Sequence, residues 1–591
     1  MCGIFGYVGT NDDAAEKVLQ GLKRLEYRGY DSWGIAVLNG KIKLSKKVGA
    51  IGDINGQTSL PRSSIGIGHT RWATHGGINE INAHPHLSSD RSFALAQNGI
   101  VENYLELKKE LLKKNFKFNS ETDTEVIVRL VEQELKHSKN LIDAIRLAFL
   151  KLKGRNTVII LTQDGRMIAA RNGSPLVVGL NKKDREIYLS SDTLSFAPFV
   201  QKMIVVENSQ LVYCQDGNIK LMDIKSGRNR SYIQENVDLD NNTIDKEGYP
   251  HFMVKEIHEG PYVIRQLLNQ DIKIYQQLVN AIKKAKNVYT IASGTTGIAA
   301  SQIAFYLRIY TKIKVTSLIG AEALDYYDLF SKGDLIIAPS QSGETADVLE
   351  VLEVAKKKGV KIASFVNMSG STMTRMSDIK FMTQSGPEVC VMSTKVFVSQ
   401  IAWGYLIAKI AQGKLKEGVR NLNDLAYQMD KYLKDRKNHK AIKLIGKKLI
   451  KAKNIFLLGK YQNLNIIKEG MVKIIEGTYK HAHAIPAGDL KHYAITLIEK
   501  GVPVISAVSC DVAERDILNA VNEVKARGAT IIGISPKPHQ SFDFHLQVPD
   551  TKETSAIMNI IPLQLLSYYM TVELGHNVDK PRNIAKSVTV K

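Results

Sequence analysis

The sequence predicts an α+β domain of layered sheets followed by two copies of an α/β domain with parallel sheets. Three observations carry this. The chain has 591 residues, well past the size at which one hydrophobic core keeps growing, so three or four domains are expected. Its apolar pattern changes character near residue 235. Beyond that point, segments recur at an almost constant offset.

Over residues 1–235, short apolar runs such as Gly34-Ile35-Ala36-Val37-Leu38 and Thr157-Val158-Ile159-Ile160-Leu161 alternate with Gly, Asn and Asp turns, the pattern of strands in packed sheets. Helical periodicity interrupts them near 102–114 and 123–136. Residues 236–265 are assigned to a linker, because Asn236-Val237-Asp238-Leu239-Asp240-Asn241-Asn242 is polar and has no apolar period. The pattern then becomes helix, short buried strand, helix, as parallel α/β sheets require. Lys284-Ala285-Lys286-Asn287-Val288-Tyr289 recurs as Lys451-Ala452-Lys453-Asn454-Ile455-Phe456, Gly333-Asp334-Leu335 faces Gly501-Val502-Pro503, and Glu353-Val354-Ala355 faces Glu523-Val524-Lys525, all near 168 positions apart. Such regularity marks an internal repeat. The two copies are placed at 266–425 and 426–575, with a polar and basic tail over 576–591.

Hydrophobic residues make up 44% and charged residues 24%, ordinary for a globular chain. No run approaches the ~20 apolar residues of a membrane span, so no membrane association is expected. Met1-Cys2-Gly3-Ile4-Phe5-Gly6 has no basic flank before an apolar core, which points to the cytoplasm. The four cysteines, Cys2, Cys214, Cys390 and Cys510, are too scattered for a disulfide framework or a metal knuckle. No metal and no cofactor is expected. The net charge of +21 comes from lysines spread along the whole chain; it suits solubility and attraction of anionic substrates, with no nucleic acid as partner.

Chemistry first enters at Cys2. Once the initiator methionine is removed, its thiol shares a residue with a free α-amine, which titrates near about 7.7–8.0 and can accept the thiol proton. Position 2 alone would far more readily mark a small buried residue; its company changes that. Gly68-His69-Thr70-Arg71-Trp72-Ala73-Thr74-His75-Gly76 and Gln97-Asn98-Gly99-Ile100-Val101-Glu102-Asn103 each follow an apolar strand, and Ser120-Glu121-Thr122-Asp123-Thr124-Glu125 starts a helix. Arg71 supplies a cation, Asp123 an anion, and Asn98 with the Gly99 N–H donors for an oxyanion, the set that an amino-acid amide needs.

With Cys2-Gly3-Ile4 and Arg24-Leu25-Glu26-Tyr27-Arg28-Gly29-Tyr30-Asp31-Ser32, these motifs resemble the class II glutamine amidotransferases, whose fold is that of N-terminal-nucleophile hydrolases. The resemblance implies that Arg71 holds the carboxylate of L-glutamine, Asp123 its ammonium, and Asn98 with Gly99 the oxyanion. Trp72 stands where the family gates ammonia, and Thr74 and His75 complete the glutamine-binding motif.

In the first α/β copy, Ile291-Ala292-Ser293-Gly294-Thr295-Thr296-Gly297 and Pro339-Ser340-Gln341-Ser342-Gly343-Glu344-Thr345-Ala346-Asp347 are hydroxyl-rich strand-to-helix turns, where free N–H groups attract phosphate. Neither holds Lys, which disfavours a nucleotide P-loop; a sugar phosphate monoester fits better. The second copy has Ala507-Val508-Ser509-Cys510-Asp511 at the equivalent turn, where the acid would repel phosphate. It offers instead Glu469, Lys473 and Glu476 at helical spacing, on one face within about two turns, a spacing that a salt-bridged surface face would share. His492 follows in Ala487-Gly488-Asp489-Leu490-Lys491-His492.

Ser340-Gln341-Ser342-Gly343-Glu344-Thr345, Ser393-Thr394-Lys395, Lys473 with Glu476, and the tail Lys580-Pro581-Arg582-Asn583-Ile584-Ala585-Lys586-Ser587-Val588-Thr589-Val590 resemble the isomerizing glutamine:fructose-6-phosphate aminotransferases, over essentially the whole chain. The resemblance implies a class II glutaminase domain of N-terminal-nucleophile fold, then two α/β sugar-isomerase (SIS) domains. It implies L-glutamine and fructose 6-phosphate as substrates and a homodimer formed through the SIS domains. Thr296, Ser340, Gln341, Ser342 and Thr345 would hold the phosphate, with Ser393 and Glu388 also at the sugar. Lys586 would form a Schiff base with the open-chain ketose, Glu476 would move the proton between C1 and C2, Lys473 would stabilise the enolamine, and His492 would open the ring.

Some positions depart from the family pattern: Ser293 stands for Cys, Gly260 for Gln, Asp489 for Glu, Tyr493-Ala494 for Gly-Pro, and Lys591 for a terminal Glu. Those near His492 bear on its orientation. An amidotransferase acting on phosphoribosyl pyrophosphate would need an acidic diphosphate loop, which is not found, and the tandem repeat argues against it. A sugar-phosphate-binding regulator on the same fold would have no use for Cys2, Lys473, Glu476 and Lys586 together.

Overall fold

The computed structural model describes residues 2–52, 58–181, 183, 185–215, 217–237 and 245–589. Residues 238–244 of the expected linker, and Val590 and Lys591 of the tail motif, lie outside the described residues. The chain forms two compact units, Met1–Asn242 with the end of the tail from Ala585, and Thr243–Ile584.

The first unit has two antiparallel sheets. In one, Gly3–Val8 lies centrally between Glu186–Ser190 and Ile65–Arg71, and Ser32–Asn39 pairs on the far side of Ile65–Arg71. In the other, Asn156–Thr162 lies between Phe93–Gly99 and Met167–Asn172. Alternation assigns each strand two buried faces. Ile4, Ala36, Ala94, Ala96, Ile159 and Leu161 share one apolar layer between the sheets. Their neighbours turn outward: Phe5, Ile35 and Val37 pack with Val18 and Leu22 of the helix Ala14–Leu25, while Phe93, Leu95 and Ile160 pack with Val126, Val131 and Ile145 of the helices Asp123–Leu135 and Leu141–Lys151. The result is a helix, sheet, sheet, helix sandwich. Gly6 belongs to the inner layer because a Cβ there would sit 2.5 Å from Ile159 Cδ1 and 2.6 Å from Met167 Sδ.

The second unit contains two parallel five-stranded sheets of identical topology. The first runs Val315–Ile319, Val288–Ala292, Leu335–Ser340, Lys361–Val366, Ile379–Met382, and the second His481–Pro486, Asn454–Gly459, Pro503–Ala507, Thr530–Ser535, Phe544–Gln547. In both, the strand that is second in sequence sits outside the first, so the chain reverses direction across the sheet between the first and third strands. Crevices at the carboxyl ends of such strands are where open α/β sheets bind ligands. The helices Lys395–Ala411 and Ser555–Glu573, nearly all of whose residues are buried, belong to one core shared by the two copies. No helix among the described residues is long and apolar enough to cross a membrane.

Candidate active sites

In the first unit, pairing of Gly3 with Thr70 in adjacent strands carries Cys2 alongside Trp72. The Trp72 N–H donates to Cys2 Sγ at 3.4 Å, and the Gly3 N–H donates to Thr70 Oγ1 at 3.1 Å. Burial pushes the Cys2 thiol above its ordinary value, against the opposing pull of the amino terminus, the Trp72 N–H and the Arg71 guanidinium.

Arg71 is buried at the end of its strand, and its guanidinium donates to the carbonyls of His75, Gly76 and Gly77. The Thr74-His75-Gly76 turn is thereby wrapped around the cation. Asp123 opens its helix, where the first-turn N–H groups favour an anion. It accepts from the Val101 N–H at 2.8 Å, and His75 Nδ1 lies 4.0 Å from its carboxylate. Burial raises the Asp123 carboxyl above the usual range, opposed by the Val101 N–H and by His75 and Arg71. Asn98 and Gly99 end the strand Phe93–Gly99, and Val101 ties that strand end to Asp123. Gly99 has φ +129°, and a Cβ there would lie 2.0 Å from the Arg155 carbonyl oxygen, so no other residue fits. Asn98 Oδ1 is buried without a hydrogen-bond partner among the described residues.

In the second unit, the two hydroxyl-rich turns flank the crevice at the topological reversal of the first sheet. Ser340 Oγ accepts from the Gly343 N–H at 2.8 Å and Ser342 Oγ from the Glu344 N–H at 3.1 Å, which shapes the turn over the start of the helix Ala346–Lys357. Thr345 is the N-cap residue yet makes no side-chain cap bond. Thr296 lies in the first turn of the helix Gly294–Thr311. Ser293 Oγ is buried and unpartnered among the described residues. Glu388 and Ser393 come together directly: the Ser393 hydroxyl donates to Glu388 Oε2 at 2.8 Å, and the Thr394 and Val396 N–H groups donate to Oε1, so this carboxylate seats the start of the helix Lys395–Ala411.

The helix Leu464–Thr478 bears the charged set. Lys473 Nζ lies 2.6 Å from Glu476 Oε2 and 3.3 Å from Glu469 Oε1; the Lys473 and Glu469 side chains are both 0% exposed and Glu476 23%. This is an interior triad, not a solvated face. Burial raises Glu469 to about 7, with Lys473 pulling down and Glu476 pushing up. Lys473 is held above its usual range because the two carboxylates outweigh its own desolvation. The Thr295 hydroxyl donates to Glu469 Oε1 at 3.1 Å, joining the first copy's crevice turn to the second copy's helix. Glu469 was grouped with Lys473 and Glu476 by helical spacing but given no role, and Thr295 was read only as part of its hydroxyl-rich turn.

His492 sits exposed on the short turn Leu490–His492. The tail is anchored beside the triad helix: His576 Nδ1 pairs with the Gly477 carbonyl at 3.1 Å, Arg582 stacks on the Tyr479 ring at 4.2 Å, and Asp579 accepts from the Phe252 and Met253 N–H groups. Lys586 belongs to the part of the tail grouped with the first unit.

Known proteins align with this chain from end to end. It is 36% identical over 608 residues to a glutamine–fructose-6-phosphate aminotransferase (isomerizing) of Pyrococcus horikoshii, and 37% over 616 residues to that of Methanococcus maripaludis, each covering 100% of both chains. This chain belongs to the isomerizing glutamine–fructose-6-phosphate aminotransferase family. The glutamine amidotransferase domain family matches residues 69–197 of this aminotransferase and the SIS domain family matches 281–410 and 448–574. A solved C-terminal domain of the glucosamine–fructose-6-phosphate aminotransferase of Francisella tularensis superposes with a TM-score of 0.52 at 29% identity, over 57% of this chain and 100% of that one. The fold is therefore an N-terminal glutamine amidotransferase domain with antiparallel sheets and two SIS domains with parallel ones, as the apolar pattern and repeat, together with the family resemblance, predicted.

Proposed function

We infer that this chain makes glucosamine 6-phosphate and glutamate from fructose 6-phosphate and glutamine. The observation that carries the reading is the buried Glu469–Lys473–Glu476 triad joined through Thr295 to a hydroxyl-rich crevice turn, which puts acid–base chemistry beside an anion site in a chain that also bears a glutaminase domain.

In the glutaminase domain, removal of Met1 frees the Cys2 α-amine to take the thiol proton. Cys2 Sγ attacks the amide carbon of glutamine, Asn98 and Gly99 hold the oxyanion, and ammonia leaves a thioester that water hydrolyses to glutamate. Arg71 pairs with the substrate carboxylate and Asp123 with its ammonium, while Trp72, Thr74 and His75 close over them.

In the SIS domains, Thr296, Ser340, Gln341, Ser342 and Thr345 hold the phosphate, with Glu388 and Ser393 supporting the sugar side. His492 opens the ring, and Lys586 condenses with C2, releasing water. Ammonia displaces Lys586 to give the ketose imine. Glu476 then carries a proton from C1 to C2, with Lys473 stabilising the enolamine between. The water consumed in thioester hydrolysis matches the water released in imine formation. The reading extends to the boundaries 1–235, 266–425 and 426–575, to a homodimer through the SIS domains, and to the cytoplasm.

Incubation of the purified chain with glutamine and fructose 6-phosphate tests this. Equal amounts of glutamate and glucosamine 6-phosphate are expected. Glutamate without amino sugar overturns the acceptor, and neither product overturns the whole reading.

A further inference from the structure

Behind the oxyanion candidates lies a row of three buried histidines that the reaction above does not use. The rings of His69 and His84 are 4.2 Å apart between centroids, and those of His84 and His86 5.0 Å. All three are buried. His69 Nε2 lies 2.8 Å from the Gln97 carbonyl oxygen, His84 Nε2 3.0 Å from Thr124 Oγ1, and His86 Nε2 3.1 Å from Thr122 Oγ1.

Proton counting leaves one consistent state for two of these rings. The Thr124 hydroxyl donates to Gln97 Oε1 at 2.5 Å, so its oxygen must accept from His84 Nε2–H. His84 Nδ1 is then the acceptor for the Gln97 N–H at 3.5 Å. The Gln97 carbonyl can only accept, so His69 likewise carries its proton on Nε2. Among the described residues, the other His69 nitrogen, Nδ1, is buried without a hydrogen-bond partner, and the Asn98 side chain lies beside that ring. Burial, reinforced by Arg71, keeps all three imidazoles neutral, and His84 and His86 are further depressed by Lys46 and by neighbouring histidines. Each Nε2 is committed to a different protein partner, which leaves no converging set for a metal ion.

The row joins two pieces that must be held at a fixed separation. At one end is Gln97-Asn98-Gly99, the strand end bearing the oxyanion donors. At the other is Ser120 to Thr124, where Thr122 caps the helix that begins with Asp123. We propose that His69, His84 and His86 are positioning residues of the glutaminase site, with His69 and His84 fixing the oxyanion donors and His86 fixing the helix start that presents Asp123. This rests on the glutaminase reading of the first unit.

The two ends predict different kinetic signatures. Oxyanion donors act in the transition state, so loosening them lowers kcat, whereas Asp123 binds the ground state, so loosening it raises KM. In glutamate release from glutamine by the full chain, His69→Leu is expected to lower kcat by about tenfold or more with KM within about threefold, and His69→Gln, which restores a donor to the Gln97 carbonyl, to recover most of it. His86→Leu is expected to raise KM by about tenfold with a smaller change in kcat. Folded variants with unchanged constants, or a His69→Gln as impaired as His69→Leu, overturn the proposal. Should the leucine variants not fold, Thr124→Val against Thr124→Ser carries the same comparison through the hydroxyl that links His84 to Gln97: equal kcat in the two overturns it, and a loss confined to Thr124→Val supports it. Absence of Cys2-dependent glutamate release from the unaltered chain overturns the glutaminase reading itself, so the two failures are distinct.

Discussion

The Thr295 hydroxyl donates to the Glu469 carboxylate at 3.1 Å, so a turn of the first SIS copy holds a carboxylate of the second. Neither copy of the repeat contains this pair alone. The second copy, which has an acid where the first has a hydroxyl-rich turn, supplies the charged helix, and the first supplies the crevice. On the proposed reading, the repeat divides sugar-phosphate binding and proton transfer between its two copies.

Glu469 should make the stability of the protein fall as pH rises. Its folded value of about 7 lies above the ordinary 4.5, so between these values the folded state binds more protons than the unfolded one, and stability present below about pH 4.5 is lost up to about pH 7. The shift sets an upper bound of about 3 kcal/mol, lowered by coupling to Lys473. Glu469→Gln should flatten this slope in thermal melts taken between pH 5 and 8 and raise Tm at the alkaline end. A slope unchanged in the variant would remove Glu469 as its source.

The hydroxyl-rich turn proposed to hold phosphate contains two kinds of hydroxyl. Ser340 Oγ accepts from the Gly343 N–H within the turn, and Thr345 spends nothing on its helix. Thr345→Val should therefore raise KM for fructose 6-phosphate by about tenfold while Tm stays within a degree or two, since no internal bond is lost. Ser340→Ala should raise KM and also cost about 1 kcal/mol of stability. Steady-state kinetics and melting curves on the pair check this; a Thr345→Val with unchanged KM would remove it from the phosphate site.

Cys2→Ala should abolish glutamate release, a loss of at least about 10³-fold for a missing nucleophile. The thiol lies in the amidotransferase domain beside Trp72, so conversion of fructose 6-phosphate to glucose 6-phosphate should persist within about twofold, the two chemistries occupying different domains. Loss of that isomerisation in a folded Cys2→Ala protein would refute their separation.

The repeat was legible in sequence because the same turn and strand entry, Lys-Ala-Lys-Asn, opens the equivalent strands Val288–Ala292 and Asn454–Gly459. The double sandwich was less so. Continuous runs such as Thr157 to Leu161 bury both faces, Ile159 toward the other sheet and Ile160 toward helices, and period alone does not distinguish the two. Helical spacing placed Glu469, Lys473 and Glu476 on one face, but whether that face looks at solvent or into the protein depends on partners such as Thr295, 174 residues away. The histidine row was hidden for the same reason: His69 lies in the strand Ile65–Arg71 and His84 outside it, and their rings meet only in the folded chain.

Lys586 and Glu476 should fail at different steps. If Lys586 condenses with C2 of the open-chain sugar, borohydride added with fructose 6-phosphate will reduce the imine and leave a hexitol phosphate on that lysine, found by mass spectrometry of the tail peptide. Lys586→Ala should lose this adduct and amino-sugar formation while Cys2-dependent glutamate release continues. Glu476→Gln removes the carboxylate 2.6 Å from Lys473 Nζ, which on the proposed reading acts only after the imine exists. That variant should keep the adduct, lose glucosamine 6-phosphate by about 10²-fold or more, and retain glutaminase. An adduct that disappears in Glu476→Gln would place Glu476 before imine formation, and an adduct at another lysine in Lys586→Ala would remove Lys586 as the amine that condenses with the sugar.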